Sequence, residues 1–425
     1  MMSQAEMTRR SFVKTAAAGL AALSAARVWG ANERIRAAVI GTRNRGHQVA
    51  SNLAAAGAEV AVFCDCDRAM YERGVKEAKI DPAPEFIQDF RIVLDRKDID
   101  AVVIATPDHW HGLMTVLALE AGKHVYVEKP ASFNLRDNKA MLAAAAKHPG
   151  QTVIVGTQQR SGAHFQEAAQ FVAGGNLGTV GFARAWVTHD RPVLQRVSDA
   201  DPPEGFDYEL WVGPAPWRPY NPVMTHYNWH FIPDYGTGEM GNWGAHWLDV
   251  VRWFLNLRYP VAVSGAAGTF VVRDAKETPD TQTILYEYPG LTVLWEERLW
   301  CKKGMDGDEV GAEFWGDKGT LRITRGGWKF TPVDGKPERR GGSDIEVPHA
   351  NSFLAAIRGL GKPAAPIEEG CLSAALCHYG NVACRAKRRI QIHPETGEIV
   401  GDAEAAALSE RPNRAPWPAY EALGV

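Results

Sequence analysis

The 425-residue sequence predicts an α/β fold whose N-terminal part is a doubly wound parallel sheet with helices on both faces. Three observations predict it. Short β-rich runs recur at Ile35–Ile40, Glu59–Cys64 and Ala101–Ala105, with the length and apolar character of buried strands. A segment with helical periodicity follows the first run, as a parallel connection requires. Glycines mark the end of that strand and of that helix.

The composition excludes several classes of protein. With 47 Lys and Arg against 50 Asp and Glu, the formal net charge is -3, so we expect no nucleic-acid partner. A hydrophobic share of 45% with 23% charged residues is typical of a globular chain and argues against disorder. The six cysteines form no C-x-x-C pair, so we expect neither a disulfide scaffold nor a metal site.

The N-terminus has the pattern of an export signal. Thr8–Lys14 read T-R-R-S-F-V-K, and the uncharged stretch Thr15–Ala26 that follows is 12 residues long, well short of the roughly 20 that span a bilayer. The pair Arg9 and Arg10 resembles the twin-arginine signal. We expect residues 1–31 to be removed on export to the periplasm, leaving no stable membrane span. A basic amphipathic helix is the alternative. Cleavage could follow Ala26, Gly30 or Ala31.

The first strand, turn and helix have the order of a dinucleotide-binding unit. The strand stops at Gly41, Gly46 opens a helical segment that ends at Gly57, and the next strand ends at Asp65. In such a unit the pyrophosphate lies on the helix N-terminus, and the acidic residue binds the ribose hydroxyls. A carboxylate there repels a 2′-phosphate, so the sequence favours NAD over NADP.

One position departs from the glycine fingerprint. The turn reads G-T-R-N-R-G, so that Arg43 stands where the second glycine normally lets backbone approach the pyrophosphate. Either the loop stands further off and the guanidinium contacts a phosphate, or cofactor binding is weakened. We favour the first alternative because a cation beside a diphosphate is attractive.

Two later strands end in polar residues at the same edge of the predicted sheet. Ala101–Ala105 runs into a loop, Thr106–His111, with a helix expected from about Gly112 to Ala121. The strand His124–Val127 ends in E-K-P. Ligands of open α/β sheets bind outside the carboxyl ends of the strands. The candidate cofactor-binding residues at these ends are Thr106, Pro107, His111 and Glu128.

Longer motifs indicate a family. A-T-P-D-H-W-H and A-G-K-H-V-Y-V-E-K-P resemble the Gfo/Idh/MocA oxidoreductases, and G-T-Q-Q-R-S, W-V-G-P-A-P and G-N-W-G-A-H-W-L-D resemble its exported twin-arginine branch. The resemblance implies an N-terminal Rossmann domain and a C-terminal α+β domain with a large, mostly antiparallel, open-faced sheet. One sheet face would border the active site, and the other would build a homo-oligomer, a dimer or tetramer. We assign residues 32–153 to the Rossmann domain, 154–387 to the substrate-binding and oligomerisation domain, and 388–425 to a tail.

Oxidation of a secondary hydroxyl requires a base. Lys129 can act as one, because desolvation beside a cationic nicotinamide would lower its pKa. If the chain is helical from Asn242, then Asn242, His246 and Asp249 share one face, so that His246 could join Lys129 in proton transfer and Asp249 could orient the imidazole. The family's usual residue at position 242 is aspartate, and the amide of Asn242 cannot accept a proton.

Aromatic residues provide candidate sugar contacts. Seven of the 14 tryptophans fall between positions 186 and 253, and flat apolar rings suit the C–H faces of a pyranose. A metal on His226 and His230 is disfavoured, because the residues between them look like a loop lining a pocket. The candidate substrate-binding residues are Arg160, Trp229, Tyr235, Asn242, Trp243 and Asp249.

The favoured function is an NAD(P)-dependent oxidoreductase acting on a secondary hydroxyl of a sugar or cyclitol. No soluble NAD pool is expected outside the cytoplasm, so we expect a tightly bound cofactor that is regenerated in each catalytic cycle. One alternative is an NAD-dependent glycoside hydrolase or lyase that works through a transient keto-sugar. The other is a non-catalytic sugar-binding protein, which Arg43 and Asn242 make conceivable.

Overall fold

The computed structural model describes residues 34–301, 303–305 and 307–425. The predicted signal peptide, residues 1–31, lies outside the described residues. Residues 35–425 form one unit that contains two β-sheets. Among the described residues, every helix falls short of the length and hydropathy that a membrane crossing requires.

Six parallel strands form the first sheet, in the order β3-β2-β1-β4-β5-β6. This order is that of a Rossmann fold, and it confirms the predicted doubly wound sheet. The strands are Arg36–Ile40 (β1), Glu59–Cys64 (β2), Glu85–Ile87 (β3), Ala101–Ile104 (β4), His124–Val127 (β5) and Val153–Val155 (β6). The helices are Arg45–Ala55 (α1), Arg68–Ala78 (α2), Phe90–Asp95 (α3), Asp108–Glu120 (α4) and Leu135–Lys147 (α5).

Both faces of this sheet are buried. In β1, Ala37 and Val39 belong to one apolar layer, and Ala38 and Ile40 belong to the other. Strands covered on both faces need apolar side chains at every position, which produces the continuous apolar runs visible in the sequence.

Helix α4 begins earlier than the sequence indicated. It starts at Asp108 instead of Gly112, so Thr106–His111 is not a six-residue loop. The physical reason lies in the second half of the chain: the Asp108 carboxylate accepts hydrogen bonds from the backbone N and Oγ1 of Thr237, at 3.1 and 2.6 Å. This contact holds the first turn of α4 against the segment that faces it.

The second sheet has ten strands, in the order β14-β13-β12-β11-β7-β10-β9-β8-β15-β16. Within the described residues its pairs are antiparallel except β7 with β10, which confirms the expected mostly antiparallel sheet. The strands are Val180–Thr188 (β7), Ala262–Gly268 (β8), Thr281–Tyr288 (β9), Leu291–Arg298 (β10), Val310–Gly316 (β11), Gly319–Thr324 (β12), Gly327–Pro332 (β13), Glu338–Gly341 (β14), Ile390–Ile392 (β15) and Ile399–Val400 (β16).

Helices pack on one face of the second sheet. Trp247 of helix α8 and Tyr379 of helix α10 pack with Val293 and Trp295 of β10 in a single apolar core. The opposite face carries ion pairs such as the one between Arg184 and Glu313, 2.7 Å apart. The helices of this half are Ala163–Ala173 (α6), Tyr208–Val212 (α7), Ala245–Phe254 (α8), Glu346–Ile357 (α9), Ile367–Ala386 (α10) and Ala403–Leu408 (α11).

The C-terminal segment 388–425, assigned to a tail, is packed onto the fold. Ile390 pairs with Val263 of β8, so this segment adds two strands to the edge of the second sheet. Further on, the hydroxyl of buried Tyr420 donates a hydrogen bond to Asp137 of α5, at 2.9 Å. Backbone pairing and burial of these apolar residues attach the segment to both halves of the chain.

Candidate active site

The turn after β1 requires glycine at two positions. Gly41 has a φ of +83°, and a Cβ there would lie 2.6 Å from the carbonyl oxygen of Ala105. A Cβ on Gly46 would lie 1.8 Å from the carbonyl oxygen of Gly41. Helix α1 follows directly, and Arg43, Asn44 and Arg45 before and at its start line a cleft at the edge of the sheet. Free N–H groups and the positive end of the helix dipole favour an anion at such a position.

The acidic residue expected to bind ribose hydroxyls stabilises this turn. The Asp65 carboxylate accepts hydrogen bonds from the backbone N and Oγ1 of Thr42, at 2.8 and 3.1 Å, and from the backbone N of Asp67, at 3.1 Å. Burial raises the pKa of Asp65, and these hydrogen bonds oppose that effect. Asp65 also lines the cleft, so the same carboxylate orders the turn and borders the expected ribose position.

Arg43 reaches across the cleft to the second half of the chain. Its Nη1 donates a hydrogen bond to the carbonyl oxygen of His226, at 2.5 Å, and its guanidinium lies 5.8 Å from the ring centroid of Tyr227. The contact seen is therefore to a backbone carbonyl, and the phosphate contact favoured by the sequence stays a prediction. The physical reason is the length of the side chain, which spans the distance to the facing loop.

The cleft fits a dinucleotide. Thr106 lines it, and the buried Oγ1 of Thr106 has no hydrogen-bond partner, as expected of a hydroxyl that awaits a ligand. The ring nitrogens of His111 lie 2.7 Å from the carbonyl oxygen of Pro130 and 3.0 Å from that of Thr106, which fixes the two strand ends together. Residues from the second half of the chain close the cleft: Trp211, His226, Tyr227, Trp229, His230 and Asn242.

Glu128, at the end of β5, is engaged in an ion pair. Its carboxylate accepts a hydrogen bond from Arg45 Nε at 2.6 Å, and Arg45 also pairs with Glu346, at 2.8 Å. Burial would raise the pKa of Glu128, but Arg45 and Lys129 together hold that pKa below its usual value. Glu128 lines the cleft, and its charge is compensated by Arg45 of α1 and by Lys129.

Lys129 lies at the junction of the two halves. Its Nζ donates hydrogen bonds to Oδ1 and the backbone oxygen of Asn242, at 2.8 and 3.1 Å. Both residues line the cleft. Burial lowers the pKa of Lys129, and the charges of Glu128 and Asp108 act against that shift. Asn242 belongs to a π-helical segment, Met240–Gly244, ahead of α8, so it does not continue the α-helical face that the spacing predicted.

The two acceptors on Asn242 suit a neutral amine. A neutral lysine has two N–H groups and one lone pair, whereas its ammonium form has three donors and no acceptor. When both N–H groups of Lys129 are held by Asn242, the remaining direction carries the lone pair. The two contacts therefore leave one direction of the amine unengaged by Asn242, and in the neutral form that direction carries the lone pair.

His246 is buried and neutral. Burial, reinforced by the positive charges of Arg325 and Lys129, lowers the pKa of His246 well below its usual value. Its Nε2 lies 3.4 Å from Nη2 of Arg325, and its Nδ1 has no hydrogen-bond partner. Asp249 does not orient this imidazole, because the Asp249 carboxylate accepts its hydrogen bonds from other residues.

Comparison with known proteins identifies the family. Residues 31–157 match the oxidoreductase family with an NAD-binding Rossmann fold, and residues 178–294 match the C-terminal α/β domain of the same family. The chain belongs to the Gfo/Idh/MocA oxidoreductase family. NAD, the predicted cofactor, is the cofactor in the family's description.

Several Gfo/Idh/MocA-like proteins have names that indicate their chemistry. A scyllo-inositol 2-dehydrogenase (NAD(+)) from Bacillus subtilis is 31% identical over 34% of this chain and 42% of its own length. A glycosyl hydrolase family 109 protein from Stenotrophomonas maltophilia is 29% identical over 55% of this chain and 54% of its own length. This chain thus aligns with about half or less of each relative. The WlbA dehydrogenase from Bordetella pertussis, solved with NADH and UDP-GlcNAcA, shares the fold with a TM-score of 0.66 at 20% identity, covering 85% of this chain and 99% of that one.

Of the predicted substrate-binding residues outside the cleft lining, Arg160, Asp249 and Tyr235 have partners in the core. Arg160 donates two hydrogen bonds to Asp249 at 2.8 Å, and the hydroxyl of Ser373 donates a third at 2.6 Å. Burial explains the pairing, because neither charge can remain inside the protein without a partner. Tyr235 is fully buried in an aromatic cluster with Trp211, 4.7 Å away between ring centroids. These three residues support the fold of the site.

Two tryptophans expected to contact sugar lie near the site. Trp229 lines the cleft and stacks on His230, with ring centroids 3.7 Å apart. Trp243 lies beside His246, with centroids 5.7 Å apart. Neither Trp243 nor His246 is part of the cleft lining. The sugar-binding roles of Trp229 and Trp243 stay predictions.

The histidines weighed as metal ligands have separate partners. His226 Nε2 lies 2.8 Å from Asp67 Oδ2, and His230 Nδ1 lies 2.5 Å from the carbonyl oxygen of Tyr227. Asp234 pairs instead with Arg218. Across the described residues, no group of three or more His, Cys, Asp or Glu side chains has the arrangement of a metal site.

Sequence analysis missed residues that shape the site. Arg45 contacts Glu128, and Glu239 contacts Asn242. Asp108 is buried beside Lys129. No motif marks them, because their partners lie far away along the chain. Only Arg45 could have been found from the sequence, because it lies at the start of a helix in the turn already assigned to the cofactor.

We expect Gly46→Ala to destabilise the protein by about 3 kcal/mol or more, since its Cβ would overlap the backbone oxygen of Gly41. Chemical denaturation measures the free energy of unfolding. Gly150→Ala is the matched control, because a Cβ there meets nothing within 4 Å. Equal stability of the two variants would contradict the tight turn.

We expect Asp249→Asn to lower the free energy of unfolding by about 3 kcal/mol, because it leaves the buried Arg160 guanidinium without its main counter-charge. Urea denaturation measures the loss. Asp402→Asn breaks a similar pair with Arg388 at the surface and should have a far smaller effect. A stable Asp249→Asn protein that has lost only sugar affinity would restore Asp249 to the substrate site.

Proposed function

We propose that this chain is an NAD-dependent oxidoreductase that acts on a secondary hydroxyl of a sugar or cyclitol. The observation that carries the proposal is the buried amine of Lys129, held by two acceptors on Asn242 at the cleft. In this arrangement the lone pair of the neutral amine accepts the hydroxyl proton. Its lowered pKa increases the share of the neutral form near pH 7.

The residues around the cleft fit the cofactor. Gly41, Arg43 and the start of α1 would hold the pyrophosphate, and Asp65 and Thr106 would face the ribose and nicotinamide portions. Bound NAD would supply the acceptor for the substrate hydride. Proton removal then falls to Lys129, with neutral His246 as a second group.

The sugar or cyclitol class is supported by two features. Trp229 presents an aromatic surface at the cleft, which suits the C–H face of a sugar ring. The named relatives and the WlbA complex concern an inositol and a nucleotide sugar. An inositol and a nucleotide sugar both carry ring hydroxyls, and we propose that such a hydroxyl lies beside the Lys129 amine.

We further propose that the chain keeps its cofactor through turnover. Arg43 bonds to the carbonyl of His226, and the His226 ring contacts Asp67, so the loop around His226 is fastened across the cleft at two points. A β-bridge between Asp67 and Phe206 attaches the segment before this loop to the same residue, which follows β2. Together with the proposed export by the twin-arginine signal to the periplasm, where no NAD pool is expected, this supports a redox-neutral net reaction.

Glycoside cleavage is the second candidate. The alignment with the glycosyl hydrolase family 109 protein covers 55% of this chain, which favours it as an alternative outcome. A transient ketone acidifies the neighbouring C–H, and Lys129 or His246 would remove that proton. Release of an aryl group from an aryl glycoside without added cofactor distinguishes this reaction from simple oxidation.

We also propose a homo-oligomer formed through the second sheet. The supporting feature is the sheet face opposite the helices, where Arg184 is half-buried among Glu313 and the aromatic ring of Trp315. Analytical ultracentrifugation of the purified protein tests this proposal, and a monomer would contradict it.

We expect Lys129→Met to abolish oxidation of sugars and inositols while leaving the fold intact. For the native protein, kcat should rise with pH as Lys129 loses its proton, because only the neutral amine accepts one. Burial lowers this pKa, so the midpoint of the rise should lie below the value of about 10.4 for free lysine. Chromatographic quantification of the sugar or inositol product over time measures kcat. Lys139→Met, an exposed change on α5, is the control. Undiminished activity of Lys129→Met would refute the assignment.

We expect purified protein to release about one nucleotide per chain on denaturation, measured by chromatography. Arg43→Ala removes one fastening of the loop, so dissociation of NADH should become about tenfold faster, as measured by its fluorescence. Arg339→Ala, at an exposed position on β14, should leave the rate unchanged. Protein that is isolated empty and exchanges NADH freely would contradict retention.

A further inference from the structure

A second carboxylate lies behind Lys129. Glu239 Oε2 accepts a hydrogen bond from Nδ2 of Asn242, at 3.1 Å, and Oδ1 of the same amide accepts one from Lys129 Nζ, at 2.8 Å. Glu239 is 1% exposed and Asn242 is half-buried, so water does not readily replace these partners. The carboxylate is therefore joined to the amine through a single amide group.

The other oxygen of Glu239 is held by an arginine. Nε and Nη2 of Arg191 both lie 2.7 Å from Oε1 of Glu239. Nη1 of Arg191 donates to the hydroxyl of Tyr227, at 3.0 Å, and Tyr227 lines the cleft. Each oxygen of Glu239 thus faces a donor, and the guanidinium fixes the plane of the carboxylate.

The amide between Glu239 and Lys129 has two orientations, related by a flip that exchanges its oxygen and nitrogen. With the oxygen toward Lys129, the amide accepts an N–H and leaves the lone pair of the amine free. With the nitrogen toward Lys129, the amide would donate to that lone pair and occupy it. The second orientation would also turn the amide oxygen toward the Glu239 carboxylate, placing two acceptors face to face.

We infer that Glu239 is a positioning residue, which locks the amide of Asn242 in the orientation that leaves Lys129 free to act as a base. The inference rests on the proposed role of Lys129. Position 242 holds an amide where the family resemblance leads one to expect aspartate, and Glu239, three residues earlier, supplies the negative charge that the amide lacks. Glu239 is not part of the cleft lining.

The amine of Lys129 reports on this arrangement without any substrate. The charges that raise its pKa are those of Glu128, Asp108 and Glu239, and the charge of Arg45 lowers it. Glu239 contributes from the side of Asn242, whereas Glu128 and Asp108 belong to the Rossmann half. Loss of the Glu239 charge should therefore change the titration of Lys129 in a known direction.

The test begins with Glu239→Gln. The one oxygen of the new side-chain amide stays with the two N–H groups of Arg191, so its NH2 opposes the NH2 of Asn242 and the Asn242 amide flips. We expect kcat on the best sugar or inositol substrate to fall about tenfold or more, with KM little changed. We expect the pKa of Lys129 to fall by about one unit, measured by NMR of ¹³C-labelled lysine and assigned with Lys129→Met.

The double variant Glu239→Gln with Asn242→Asp is the decisive comparison. A carboxylate at position 242 accepts hydrogen bonds both from the new amide at position 239 and from Lys129. No flip can therefore occlude the lone pair of Lys129, and a negative charge again lies beside the amine. We expect kcat to recover to within about threefold of the native value and the pKa of Lys129 to rise again. Glu297→Gln is the matched control, because Glu297 is another buried carboxylate near Glu239 that makes no hydrogen bond to Asn242.

The outcomes separate this inference from the proposed function. If the native protein oxidises no sugar or inositol, the proposed function fails, and the titration of Lys129 still tests the role of Glu239. An unchanged Lys129 pKa in Glu239→Gln would overturn the inference. So would a double variant no more active than Glu239→Gln, or an equal effect of Glu297→Gln, because either result would indicate a merely structural carboxylate.

Discussion

The hydrogen bonds between the Lys129 amine and Asn242 are the contact on which the site depends. Lys129 comes from the end of β5 in the Rossmann sheet, and Asn242 comes from the π-helical segment ahead of α8. A lysine buried without partners would be costly, and a protonated one more so. Two acceptors at 2.8 and 3.1 Å hold the amine, so the packing of the two halves positions the group that we propose as the base.

The charges around this amine are compensated in pairs. Arg45 lies between Glu128 and Glu346, and Arg191 holds Glu239. The members of each pair are distant in the sequence. The charges that set the pKa of Lys129 are therefore brought together only by the folded chain. Burial lowers that pKa, and the nearby carboxylates limit the change. The electrostatic setting of the amine is thus a property of the tertiary fold and not of the E-K-P motif alone.

Sequence analysis predicted what depends on local order and missed what depends on long-range pairing. The Rossmann strands, the Gly41 turn and the position of Lys129 follow from apolar runs and glycines within a short stretch. Helix periodicity could not show the π-helical turn that moves Asn242 off the face of Asp249. The pairing of Asp249 with Arg160 was equally hidden, because the two charges are distant in sequence and meet only in the packed core.

The two departures from the family pattern have partners in one stretch of the chain. Arg43, where the fingerprint predicts a glycine, bonds to the carbonyl of His226, and Asn242, where the resemblance implies an aspartate, is held by Glu239. Random loss of function would leave an unpaired guanidinium and an amide free to flip. Instead the segment from 226 to 239 gives each group a partner, which supports our proposals that this segment fastens the cleft and orients the amide beside Lys129.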